Sequence, residues 1–106
     1  MQNGEVDLAE KKLKKILDEY PNNPDALSLL GIILIHQKKF KKGKNLIKSS
    51  LLFIANQPQA ILNLGLALYQ ENNFDEANKY FEQAIKFKSD YAEAYYCLGL
   101  SFQKKK

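Results

Sequence analysis

The sequence predicts an all-α protein, an α-α superhelix (a solenoid) of about six antiparallel helices. Three observations carry that prediction. Residue classes recur every 34 positions, apolar residues inside each recurrence are spaced as on a helix, and Pro- and Asn-rich breaks separate the recurrences. Gly31, Gly65 and Gly99 stand 34 residues apart, and the same step carries Leu30 to Leu64 to Leu98 and Ala26 to Ala60 to Ala94. In the other half of the period Ala9, Gly43 and Ala77 correspond, as do Leu13, Ile47 and Phe81, and Ile16, Ser50 and Ala84.

The elements follow in chain order, at residues 5–19, 24–37, 41–54, 58–71, 75–87 and 92–104. The first carries Val6, Leu8, Ala9, Leu13 and Ile16 and stops before Pro21–Asn22–Asn23–Pro24. Pro24 and Pro58 open the second and fourth helices, where the missing N–H has no helical partner to lose. The second helix runs through Ala26, Leu27, Leu30, Gly31 and Leu34 to the turn Gln37–Lys38–Lys39, where a left-handed Lys38 would be strained. The third follows Phe40 and buries Gly43, Ile47 and Ser50; Asn56–Gln57–Pro58 ends it. The fourth repeats the second and closes on Glu71–Asn72–Asn73, a turn better suited to left-handed backbone because Asn tolerates it. The fifth uses Phe74, Ala77, Phe81 and Ala84; after Ser89–Asp90 the sixth uses Tyr95, Leu98, Gly99 and Phe102. Each hairpin brings a glycine of its first helix against Gly43 or Ala77 of its second, so the two axes approach closely. The chain therefore reads as one domain over 1–106: a half repeat at 1–23 holding only a second helix, repeats at 24–57 and 58–91, and a half repeat at 92–106 holding only a first helix.

Composition narrows the chemistry. All sixteen basic residues are lysines against twelve acids, a net charge of +4 without one arginine fork. A single cysteine excludes an internal disulfide, and with a single histidine it leaves no metal-ligand spacing. There is no Gly-rich phosphate loop and no carboxylate pair; His36 and Cys97 lack a third group to orient them, so no catalytic residue, metal or cofactor is assigned. The lysines at 38, 39, 41, 42, 44 and 48 have no acid between residues 26 and 70, yet they fall on a turn and an outward helix face, which reads as solvated surface rather than a nucleic-acid site. The longest apolar run, Leu29–Ile35, is too short to cross a membrane, and the start Met1–Gln2–Asn3–Gly4–Glu5 lacks the pattern of a signal peptide, so a cytoplasmic protein is expected.

With these residues in view the chain resembles the tetratricopeptide repeat (TPR) family. Residues 58–91 carry Ile61, Leu64–Gly65, Leu68, Phe74, Ala77, Phe81 and Ala84 in that family's order; residues 24–57 carry Leu27, Leu30–Gly31, Leu34, Phe40, Gly43, Ile47 and Ser50. Ser89 and Ala55 stand where the closing proline is usual. The stretches Pro24–Gly31 and Asp90–Tyr95 are similar to arrays that precede glycosyltransferase domains in bacterial proteins resembling O-GlcNAc transferase.

The resemblance implies a scaffold whose first helices line a concave groove that receives a peptide or helical segment of a partner protein. Transferred position by position, the groove is lined by Ser28, Leu29, Ile32, Ile35 and His36, then Leu62, Asn63, Leu66, Tyr69 and Gln70, then Glu93, Tyr96, Cys97 and Leu100. An exposed apolar strip of this kind suits helix-in-groove recognition. The carboxylate clamp of some co-chaperone TPR domains would fall on Ser28, Ile32, Asn63, Glu93 and Cys97, of which only Asn63 fits. An Asn ladder would fall on Leu29, Asn63 and Cys97, leaving one rung. The alternative implied by the resemblance is a substrate-presenting or regulatory TPR segment of a larger enzyme such as a glycosyltransferase. Finally, the apolar faces of the first and last helices, relieved only by the Lys104–Lys106 tail, predict contact between copies of the chain.

Overall fold

The computed structural model describes residues 3–105; Met1, Gln2 and Lys106, the end of the lysine tail, lie outside the described residues. The described residues form six helices: α1 (Asn3–Glu19), α2 (Pro24–His36), α3 (Phe40–Phe53), α4 (Pro58–Gln70), α5 (Phe74–Phe87) and α6 (Ala92–Lys105). Among the described residues there is no strand. Every helix end lies within two residues of its expected place. The chain forms two compact units, Met1–Ala55 and Asn56–Lys106, dividing two residues ahead of the repeat border read at 57/58.

In the first unit α2 packs between α1 and α3. Asn23 caps α2: its side-chain oxygen accepts from the Ala26 N–H at 2.9 Å, satisfying one of the orphan donors of the first turn. The α2–α3 contact is made by two glycines. A Cβ on Gly31 would stand 2.7 Å from Ile47 Cγ1 and 2.9 Å from the Gly43 carbonyl; a Cβ on Gly43 would stand 2.6 Å from Ile35 Cγ1 and 2.8 Å from the Gly31 carbonyl. Gly43 therefore offsets its helix-propensity cost, about 1 kcal/mol relative to Ala, with an approach that no other residue permits. Ile35, expected to line the groove, is instead buried in this contact. Ser28 is likewise buried: its hydroxyl donates to Ser50 Oγ at 2.7 Å, and Ser50 donates to the Pro24 carbonyl at 2.7 Å. On the other side Gln37 Nε2 donates to Glu10 Oε1 at 3.2 Å, and Lys14 pairs with Glu10 at 3.1 Å. The hydrogen bonds from Lys14 and Gln37 hold the Glu10 carboxyl below the ordinary carboxylate range.

In the second unit α5 packs against α4 and α6, and α4 also touches α6. Here Ala77 replaces the second glycine, and the helices stand slightly further apart: a Cβ on Gly65 would be 3.3 Å from the Ala77 carbonyl, though 2.6 Å from the Phe81 ring. Ile61, Leu64, Ala77, Phe81 and Ala84 are fully enclosed around that contact. An ion pair between Lys105 and Asp75 ties the end of α6 to the start of α5. Gly99 differs from its two counterparts. A Cβ there meets nothing within 4 Å, whereas the close approach occurs at Gly31 and Gly65.

Candidate functional site

The surface predicted to bind a partner lies on α2, α4 and α6. On α4 the side chains of Leu62, Leu66 and Tyr69 fall along one line of the helix, with Asn63 and Gln70 on its flank. Leu66 and Tyr69 are half-buried and Gln70 is exposed. Leu62, however, is only 1% exposed, because all six residues from Ala60 to Gly65 are buried and that stretch has no solvent side. Asn63 is buried too, with its Nδ2 donating to the Gln59 carbonyl one turn back at 2.9 Å. Neither side chain offers free surface, and Asn63 spends its amide donor within its own helix.

On α6 the repeat counterparts of Leu62 and Leu66 are Tyr96, 68% exposed, and Leu100, half-buried. α4 and α6 touch within the second unit, so Leu66 and Tyr69 stand on one helix and Tyr96 and Leu100 on its neighbour. Tyr69 is braced edge-on by Phe74, ring centroids 5.5 Å apart. A cavity of about 200 Å³ opens beside it, lined by Tyr69, Gln70, Asn72, Phe74 and Lys104. The larger hollow, about 660 Å³, is lined by Lys79, Glu82, Gln83, Lys86 and Phe87. All five belong to α5, so it is an open trough along one helix.

In the first unit the equivalent strip of α2 holds Leu29, 53% exposed, with half-buried Ile32 and exposed His36. Glu93 is exposed at the start of α6, and Cys97 is buried one turn on. Burial, then the negative charge of Glu93, pushes the Cys97 thiol above its ordinary range. A buried thiol shifted in that direction is disfavoured as a thiolate. No three His, Cys, Asp or Glu among the described residues are placed to hold a metal ion, and no described helix is long and apolar enough to cross a membrane.

One exposed feature escaped the sequence reading. Leu52 is 85% exposed at the end of α3, and Phe53 and Ile54 beside it are also exposed. The signal was in the repeat, for Leu52 and Ile54 stand where Lys86 and Lys88 stand one period later.

The family comparison agrees with this architecture. A sequence profile described as tetratricopeptide repeat matches residues 1–64, and another described as TPR repeat matches residues 65–106. No curated protein sequence matches. Among solved structures, MamA is 27% identical over 98% of this chain and 61% of its own, with a TM-score of 0.88. A mutant O-GlcNAc transferase of Thermobaculum terrenum is 21% identical over 92% of this chain and 19% of its own, TM-score 0.86. The first TPR of Spaghetti (RPAP3), bound to an HSP90 peptide, is 22% identical over 96% of this chain and 81% of its own, TM-score 0.88. The last two likenesses are of fold alone. The chain spans about three-fifths of the MamA chain and about a fifth of the transferase chain. With the profile matched across residues 1–64 of the 106, this chain belongs to the tetratricopeptide repeat family.

Proposed function

We propose that the chain is a non-catalytic scaffold that binds an apolar peptide or helical segment of a partner protein along its first helices. The observation that carries this reading is the exposure on α4 and α6, where Tyr96 is 68% exposed and Leu66, Tyr69 and Leu100 are half-buried. Tyrosine is among the residue types most enriched in binding hot spots. Gln70 and Lys104 at the rim of the cavity next to Tyr69 supply polar contacts for the guest's ends. The strip Leu29, Ile32 and His36 on α2 offers the same class of contact in the first unit. Spaghetti's peptide-bound TPR is consistent with this mode of recognition, though its guest does not transfer: of the clamp positions only Asn63 fits, and its donor is already bonded.

The test is selection of peptides from a random display library against the chain, followed by titration of the best binder. Tyr96→Ser is expected to weaken that peptide by about tenfold or more, a loss typical of a buried aromatic anchor, while leaving the melting temperature unchanged. Equal affinity of the wild type and Tyr96→Ser, or selected peptides that compete for the α5 trough instead, overturns the reading.

A further inference from the structure

The two apolar faces left open at α1 and α6 are the two halves of one hairpin. Inside the chain that hairpin occurs twice, as α2 on α3 and α4 on α5. There the first-helix residues Leu30, Leu34, Leu64 and Leu68 and the second-helix residues Ile47 and Phe81 are buried. On α6 the matching face, Leu98, Gly99 and Phe102, has no second helix upon it: Gly99 and Phe102 are exposed and Leu98 is half-buried. On α1 the face matching Gly43, Ile47 and Ser50 is Ala9, Leu13 and Ile16, of which Ala9 and Ile16 are exposed. We propose that α1 of one copy docks antiparallel on α6 of another, with Ala9 set against Gly99 as Ala77 is against Gly65.

Size and charge both favour this occupant. A methyl group opposite a glycine reproduces the α4–α5 contact, and Leu13 takes the place of Ile47 and Phe81. Residues 3–10 of α1 carry Glu5, Asp7 and Glu10 with no lysine, while residues 11–15 carry four lysines. The charges of α6 run the opposite way along the pair, with Glu93 in its first turn and Lys104 and Lys105 in its last. Antiparallel docking in the Ala9–Gly99 register puts Lys15 at the level of Glu93 and the turn of Glu5 at the level of Lys104. Opposite charges at both ends favour the antiparallel direction over the parallel one. The contact is heterologous, because each copy gives one kind of face and receives the other.

Sedimentation velocity of the chain from low micromolar to millimolar concentration tests this, with three variants. The wild type is expected to rise above its 12.2 kDa monomer mass as concentration increases. Gly99 is exposed and a Cβ there meets nothing within 4 Å in the lone chain, so Gly99→Leu is expected to keep the fold and raise helix propensity; in the docked pair its side chain fills the space of the incoming helix. It is expected to weaken association about tenfold or more, the effect of overpacking a close helix contact. Ala9→Lys, at an exposed position, is expected to do the same. Mixed together, the two variants each retain the face the other has lost, and they are expected to form a one-to-one complex and nothing larger. Leu52→Ser, at the other exposed apolar site, is expected to associate like the wild type. A wild type monomeric throughout, an Ala9→Lys chain that associates normally, a mixture that forms no complex, or loss of association in Leu52→Ser overturns the proposal.

Discussion

At the scale of single residues, the two hairpin turns are the same structure built from unlike side chains. Gln37 and Glu71 share one backbone conformation, φ −85 and ψ 6, and Lys38 and Asn72 both follow at φ 65. In each turn the next two N–H groups reach back to the helix: Lys38 to Ile35 and Lys39 to Leu34, then Asn72 to Tyr69 and Asn73 to Leu68, at 2.8–3.0 Å. These are the crossed hydrogen bonds of a Schellman ending, and its left-handed residue is best as Gly or Asn. A lysine there holds its Cβ against the following carbonyl at a cost of about 1–2 kcal/mol, part of which Asn escapes. Lys38→Asn is accordingly expected to raise stability by about 0.5–1 kcal/mol, seen as a higher urea midpoint with an unchanged slope. Asn72→Lys should lower it by a similar amount. That reverse exchange separates conformation from charge, because it adds a lysine beside Glu71 rather than removing one from a lysine-rich turn. If neither midpoint moved, the left-handed strain would not be the operative term.

At the scale of elements, the two internal hairpins close in different ways although the period aligns them residue by residue. The α4–α5 hairpin places Leu62 and Ala84 where α2–α3 places Ser28 and Ser50. The second unit is therefore apolar at these positions, whereas the first carries a buried hydroxyl relay from Ser28 through Ser50 to the Pro24 carbonyl. A buried relay stabilises only while each member keeps its partner, since one broken link leaves a desolvated polar group behind. Ser50→Ala takes an acceptor from Ser28 and a donor from Pro24, and is expected to destabilise the chain by about 1–3 kcal/mol. Ser28→Ala alone removes one donor and is expected to cost about 1 kcal/mol. Combining them should cost less than the sum by about 1 kcal/mol, since with both hydroxyls gone fewer groups stay unmatched. Denaturant unfolding of the four chains in the cycle measures this directly. Additive losses would mean that the two serines act independently.

At the scale of the whole molecule, a 34-residue period was enough to read the helices, their order and their ends, because glycines, prolines and apolar spacing are local signals. The proposed binding surface was less legible. Ser28, Leu62 and Tyr96 occupy one repeat position, yet the first two are buried and the third is largely exposed. A period fixes which way a side chain points from its helix, but not whether another element lies over it. The same gap hid Leu52, whose exposure depends on what surrounds the end of α3. Unequal cover also has a consequence for dynamics. In the described residues α1 packs on α2 alone, with Leu8, Ala9 and Ile16 in water, whereas α4 is buried on every side from Ala60 to Gly65. Opening α1 exposes little new apolar surface; opening α4 dismantles the core of its unit. Native-state hydrogen exchange at micromolar concentration should show amides in the middle of α1 exchanging about a hundredfold or more faster than those of Leu64–Leu68. Equal protection in the two helices would mean that the chain opens as one cooperative block, and that uneven burial does not set its local stability.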